Sequence, residues 1–412
     1  MIHPAKYFFS KVAIACIAFA TALAAAEILL AWLELDPAAV PYRLRLLDPE
    51  DGDEGYLQAA VDIPYTTRRG YRGHWSSASC GGCAYHGKGS VTIDDRGFRT
   101  SRSDLAPADA VDVLCMGDSF TFGYLVDDLE TYPRGLQTLY GPSTVVVNAG
   151  YYGGLSFGSA ELRFRNDFLA PSSQRAPKVL VYGVFPLNDF SDLAVWMSTD
   201  ASGRPTKLRS INQVLNEFGD SLPVLRESRL FIGLSRLGSR IAFRDLLEET
   251  ARLRSQRIAG AIRRFHDDAT MTGTRLVFVI LREPNGAFER HLAAAEGVTV
   301  EEYRKSNDAL VDRLEAELDA NRIEWYDDAG LIDGLHEALA RRRLPEPPGA
   351  LPIPLEDLER EAASSDWSAE SLAAADGVHY SGLTNAYVAS WIHEILTDGA
   401  LTRRRPSATT RR

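Results

Sequence analysis

The 412-residue chain is poor in cysteine and methionine, with four of each, and has no excess of positive charge. Lys and Arg number 45 against 56 Asp and Glu, a formal net charge of −11. That balance argues against a general nucleic-acid binder, and no nucleic-acid motif is present. No internal repeat occurs, which sets aside solenoid architectures. So few cysteines cannot supply a disulfide framework. Cys16 lies in an apolar run, Cys115 sits in a strand-like run as core packing, and only Cys80 and Cys83 are close in sequence. In an exported chain that pair forms a local disulfide or stays as two free thiols. His74 and His86 flank it, but the spacing fits no standard zinc module, so no metal and no other cofactor is expected.

Very long apolar runs are also scarce, and the single one is N-terminal. Val12 to Leu33 is 22 residues whose only polar members are Thr21 and Glu27. At about 1.5 Å per residue, a helix of that length crosses a hydrocarbon core of about 30 Å. Lys6 and Lys11 precede it and favour a cytoplasmic N-terminus. Ala22-Leu23-Ala24 resembles a signal-peptidase site, so a cleaved signal peptide is the rival reading. The run continues past that site through Ile28–Leu33, which favours an uncleaved anchor in the inner membrane. Either way the remainder is exported.

The chain divides by composition. Residues 1–11 form a cytoplasmic N-terminus and 12–33 the anchor. Residues 34–108, rich in Gly, Pro, Asp, Ser and Tyr, read as a membrane-proximal stalk packed partly on the main domain, with a short strand at Val91-Thr92-Ile93. Residues 109–400 form the main domain, and 401–412, with five arginines and no acid, a basic disordered tail. Continuous apolar runs recur in the main domain at 110–116, 144–147, 179–182, 275–281 and 323–326. Helical patterns separate them at about 120–140, 156–170, 244–270 and 300–322, and another follows at 386–396. Apolar strands alternating with helices predict a parallel sheet covered on both faces, with functional groups at the carboxyl edge of the strands. Residues 200–270 read as a helical insertion. Ten arginines against four acids between Arg226 and Arg264 make it a solvated helical face or a cap that meets an anionic polymer or lipid surface. Residues 341–357 read as a loop.

The chemistry-bearing residues stand at the ends of these runs. Ser119, in Met116-Gly117-Asp118-Ser119-Phe120, follows the first run and opens a helix, where backbone N–H groups lack intrahelical partners. A serine hydroxyl needs a base to become a nucleophile, and the oxyanion it creates needs donors. Asp376 and His379, three residues apart, can deliver the base and the carboxylate that fixes its tautomer from one short loop. Asp333-Gly334-Leu335-His336 has the same spacing but lies in a helical pattern, so His336 reads as a surface helix residue. Gly153 and Asn188 follow the second and third runs and are the oxyanion-donor candidates. Gly154-Leu155-Ser156-Phe157-Gly158 mimics a nucleophile elbow. It does not follow directly from a strand, so Ser156 reads as a helix cap.

Taken together, Gly117-Asp118-Ser119, Gly153, Asn188 and Asp376-x-x-His379 resemble, in order, the blocks of the SGNH (GDSL-type) serine hydrolases. The resemblance extends to membrane-anchored bacterial members, in which a segment like Arg96-Gly97-Phe98-Arg99 precedes the domain. It implies a three-layer α/β/α flavodoxin-like parallel sheet and no metal. It also implies an oxyanion hole made of the Ser119 N–H, the Gly153 N–H and the Asn188 side chain. Leu187 stands before Asn188 where the family has glycine, and Tyr151-Tyr152 crowd the glycine block; both bear on substrate rather than chemistry. The expected activity is hydrolysis of acyl esters, acetyl esters of envelope or exopolysaccharide carbohydrate foremost. O-acyl transfer, lipid-ester hydrolysis or a non-catalytic polysaccharide-binding role are the alternatives. Oligomeric state leaves no sign in the sequence.

Overall fold

The computed structural model describes residues 57–59, 65–75, 89–100, 111–151, 157–169, 176–189, 195–199, 205–210, 258–296, 298–374 and 378–398. The expected anchor at 12–33 and the basic tail lie outside them. Among the described residues no helix is long and apolar enough to cross a membrane.

Ahead of the main sheet, β1 (Leu57–Ala59) pairs antiparallel with β2 (Tyr65–Thr67), and β3 (Arg72–His74) with β4 (Ser90–Thr92). The chain then forms β5 (Val113–Gly117), α1 (Ser119–Phe122), α2 (Tyr132–Tyr140), β6 (Val146–Gly150), α3 (Phe157–Phe164), β7 (Val179–Val184) and α4 (Pro186–Asp189). An antiparallel hairpin, β8 (Val195–Thr199) with β9 (Pro205–Ser210), leads towards α5 (258–272) and β10 (Arg275–Ile280). The last elements are α6 (Ala287–Glu296), α7 (Val300–Ala320), β11 (Glu324–Asp327), α8 (Ala329–Ala340), α9 (Leu355–Ser364) and α10 (Gly382–Asp398).

Five strands form one parallel sheet in the order β11-β10-β7-β5-β6. Counted along the chain this is 2-1-3-4-5 read from the other edge, the flavodoxin-like doubly wound order. Alternation within each strand divides the core. Leu114, Met116, Leu180, Tyr182, Phe278 and Ile280 face α3, α5 and α7 through Phe164, Ile262, Phe265 and Leu314. Val113, Cys115, Val181, Val277 and Val279 face α2 and α10 through Tyr132, Leu136, Val388 and Ile392. Each such buried side chain contributes about 1.5–3 kcal/mol, and both faces must be covered because every strand is apolar on both.

Three departures from the sequence reading have local causes. The helix expected over 120–140 is broken: α1 stops at Gly123, in the left-handed conformation (φ 83°), and α2 begins only after the Thr131 cap. Within the expected helical insertion over 200–270, residues 205–210 form β9, paired with β8 just before it. Val195, Trp196 and Thr199 favour strand. Residues 258–272 are helical, and 211–257 lie outside the described residues. The loop expected over 341–357 ends early, because Pro354 precedes α9 and Glu356 and Asp357 occupy its first turn.

Candidate active site

The site grows from the carboxyl end of β5. Gly117 pairs with Gly150 of β6 on one side and Gly183 of β7 on the other, so three glycines lie abreast at the sheet edge. Into the space they leave sits α1. A Cβ on Gly150 would come 2.2 Å from the Phe122 nitrogen, and one on Gly183 would come 2.5 Å from Thr121 Oγ1. Gly117 has φ +149°, and a Cβ there would meet both Thr121 Oγ1 at 2.4 Å and the Gly183 carbonyl at 2.5 Å. Glycine at these positions lets the nucleophile-bearing turn rest directly on the sheet.

Asp118 caps that turn, its carboxylate accepting from the Phe120 N–H at 3.0 Å, so this acid is engaged in local structure. Thr121 donates to the Met116 carbonyl at 3.4 Å and accepts from the Tyr132 hydroxyl at 3.1 Å, locking the turn to strand and helix. Ser119, buried at the first helical position, therefore stands with its backbone N–H at a helix start and its hydroxyl directed by a fixed backbone.

His379 arrives from the opposite end of the sequence. The Ala374 N–H donates to the His379 carbonyl at 2.7 Å, Ala373 bridges Tyr380, and the Ser381 N–H donates to the Leu372 carbonyl at 3.0 Å. These bonds close a narrow turn immediately before α10. Tyr380 anchors it further, its hydroxyl donating to the buried Asp328 carboxylate at 2.5 Å. Burial holds the Asp328 carboxyl well above the usual carboxylate range, with the neighbouring Asp327 acting in the same direction. The result is a 2.7 Å contact between His379 Nε2 and Ser119 Oγ, a base in hydrogen-bond reach of a hydroxyl 260 residues away in sequence. The imidazole contacts two rings of the nucleophile turn, Phe120 at 5.0 Å and Tyr124 at 4.9 Å between centroids.

Two other candidates can be placed only in part. Asn188 lies in α4, the single turn after β7, where the Phe185 N–H donates to the Asp189 carboxylate at 2.9 Å. That turn follows the strand beside the one carrying Ser119. Gly153 lies three residues past β6, the strand on the other side, but is itself outside the described residues, as are Asp376 and Ser156. His336 lies in α8 and contacts the Pro284 carbonyl. Of the metal quartet considered from the sequence only His74 is described, and among the described residues no cluster of three or more potential ligands occurs. Cys115 is buried and its thiol is pushed up by burial.

The sequence reading missed how residues 65–75 and 89–100 support the site. Arg99 is buried with all five of its donor positions engaged. Nε reaches the Asp128 carboxylate at 2.9 Å, and Nη1 the carbonyls of Phe122 (2.9 Å) and Gly123. Nη2 reaches those of Ser90 at 3.0 Å and Val126 at 2.7 Å. The Asn148 side chain also donates to the Phe122 carbonyl, at 3.2 Å, and the Asn148 carbonyl accepts from the Arg99 N–H at 3.1 Å. Carbonyls released where α1 stops thus find their donors in a residue outside the α/β sheet. A charged residue between Phe98 and Thr100 carries no periodicity that would reveal this; the pairing of Arg with Gly-Phe was the only signal.

No protein-family model matches this sequence, nor does any curated protein. Among solved structures it is similar to a GDSL-like lipase from Bacteroides thetaiotaomicron, at 12% identity over 72% of this chain and 93% of that one, with a TM-score of 0.35. A Bacteroides fragilis protein provisionally described as an acylhydrolase gives 14%, 54% of this chain, 73% of that chain and 0.28. A provisionally described lipolytic protein of the G-D-S-L family from Desulfitobacterium hafniense gives 17%, 62%, 99% and 0.26. Likenesses this distant carry no weight for activity, and the reading of the site rests on its own geometry.

Proposed function

We propose that this chain is a serine ester hydrolase of the SGNH (GDSL) type. The observation that carries the reading is the 2.7 Å contact of His379 Nε2 with Ser119 Oγ at the carboxyl edge of a doubly wound sheet. In the mechanism, His379 takes the Ser119 proton as Oγ attacks the ester carbonyl carbon. The tetrahedral oxyanion is held by the Ser119 N–H, the Gly153 N–H and the Asn188 amide. His379 then gives its proton to the departing alcohol, leaving an acyl-enzyme. Water, deprotonated by the same imidazole, attacks that ester and releases the acid and free Ser119. Asp376 fixes the imidazole tautomer through its other nitrogen.

Our preferred substrate is an acyl ester, acetyl first, of an envelope or exopolysaccharide carbohydrate, met outside the cytoplasmic membrane by a domain anchored through residues 12–33. The support is the apolar run with its preceding lysines and the absence of any cofactor motif. A sugar hydroxyl replacing water in the second step would make the same site an O-acyltransferase.

The test is hydrolysis of p-nitrophenyl esters from acetate upward by the full chain, beside Ser119→Ala and His379→Ala. Each variant should lose at least about 10³-fold in kcat, and the double variant little more, since nucleophile and base act as a unit. Activity that survives Ser119→Ala would sink the reading. Added sugar acceptors that divert the acyl group from water would identify a transferase.

A further inference from the structure

The polar and aromatic contacts around His379 do not end within the α/β domain. Tyr124 lies edge-on to the imidazole (4.9 Å, 63°), and on its far side Trp75 lies edge-on to Tyr124 (4.9 Å, 75°). Trp75 is itself fixed: its indole N–H donates to the Val126 carbonyl at 2.7 Å and its backbone N–H to the Gly89 carbonyl at 2.9 Å. The turn that carries Tyr124 cannot hold its shape alone. Left-handed residues stand on either side of Tyr124, Gly123 at φ 83° and Leu125 at φ 64°, the latter a strained choice for a γ-branched side chain. The carbonyls of Phe122, Gly123 and Val126 turn inward to Arg99 as a consequence. Trp75, Val91, Ile93, Phe122, Tyr124 and Leu125 form one buried cluster, with Ala374, two residues before Asp376, packed at its margin. The cluster therefore touches both the turn that carries Ser119 and the loop that carries His379.

We propose that residues 65–75 and 89–100, which precede the α/β domain, position the base: Trp75 and Arg99 hold the 122–126 turn so that the Tyr124 ring orients the His379 imidazole towards Ser119. The inference rests on reading Ser119 and His379 as nucleophile and base. Tyr124 is a positioning residue here. Its ring limits rotation of the imidazole about its side-chain bonds, together with Phe120, whose own place is set by Phe185 at 4.0 Å and Tyr380 at 4.8 Å. Nothing in this role uses the Tyr124 hydroxyl, so phenylalanine should serve as well as tyrosine.

The experiment uses the full chain in four forms: wild type, Tyr124→Leu, Tyr124→Phe and Trp75→Leu. Each is followed by ester hydrolysis and by spectra of the histidine rings in 15N-histidine-labelled protein, with His379 assigned through His379→Gln. For Tyr124→Leu the expected result is a kcat lowered roughly ten- to a hundredfold with KM within about threefold, as for a base displaced by a fraction of an ångström to one ångström. The His379 ring signals should move or broaden with it, and Tyr124→Phe should restore both. Trp75→Leu, one residue removed from the imidazole, should show the same pattern more weakly and serves if Tyr124→Leu does not fold. A folded Tyr124→Leu with kcat within twofold of wild type and unchanged His379 signals overturns the proposal. So does a rise in KM at constant kcat, which would make Tyr124 a substrate contact. Should wild type itself not turn over esters, the hydrolase reading fails separately, and the ring spectra alone decide whether residues 65–75 and 89–100 orient His379.

Discussion

At the residue scale the tightest constraint is Gly117. Its φ of +149° and the two atoms that a Cβ would meet within 2.5 Å, one of them the Gly183 carbonyl oxygen, leave no room for a side chain. Gly117→Ala must shift either the strand or the α1 turn, so we expect a loss of at least about 2–3 kcal/mol in stability. Whatever fraction folds should hydrolyse esters at least about tenfold more slowly, because Ser119 is two residues away. Urea unfolding and kcat measured on the same preparation check this, and a variant as stable and active as wild type would contradict the packing described. The Ser119–His379 pair was legible in the sequence, because strand-end Gly-Asp-Ser and a late Asp-x-x-His are local patterns. Arg99 and Trp75 were not. Most of their side-chain partners lie 23 to 51 residues away, which no local pattern encodes.

At the scale of elements, all five sheet strands could be found from apolar runs, since strands buried on both faces leave little else that they can be. Their order could not, because the register of Gly117 with both Gly150 and Gly183 is a tertiary fact. The short α6 and α9 also escaped, being amphipathic over too few turns to stand out. The packing of α9 on the start of α10 makes a pH-dependent prediction. Glu361 of α9 is pushed up to about 7 by burial and then by the nearby Glu130, although the Leu383 N–H at the start of α10 favours its charged form. A carboxyl raised on folding contributes stability that is complete below the unfolded value, near 4.3, and is lost as pH rises through about 7. Wild type should therefore be less stable at pH 8 than at pH 5 by about 1–3 kcal/mol from this group. Glu361→Gln should remove most of that difference, as read by urea unfolding at the two pH values; an unchanged difference would mean that Glu361 is ionised in the folded protein.

At the scale of the whole molecule, residues 65–75 and 89–100 belong to the structural unit that carries the site. Trp75, Val91, Ile93, Phe98 and Arg99 are all buried. Arg163, itself buried, ties the Gly97 carbonyl at 3.0 Å to the Ala149 carbonyl at 3.3 Å at the end of β6. A chain shortened to begin at residue 101 leaves the carbonyls of the 122–126 turn and the carboxylate of Asp128 without their guanidinium, at a cost of about 3–5 kcal/mol before lost apolar burial is counted. We expect that chain to lose its cooperative thermal transition or to melt at least about 10 °C lower, and to be inactive, whereas one beginning near residue 35 should retain both fold and activity. Calorimetry of the two truncations decides the matter.

The contact between residues 119 and 379 also sets a timetable. A chain emerging from the ribosome exposes its serine long before α10 exists. Until the turn at 372–381 closes and α10 docks on α2, that serine has no imidazole beside it and no more reactivity than any other alcohol. Synthesis and hydrolytic competence are separated by the order of the elements, and the enzyme proposed here would be switched on by the completion of its own fold.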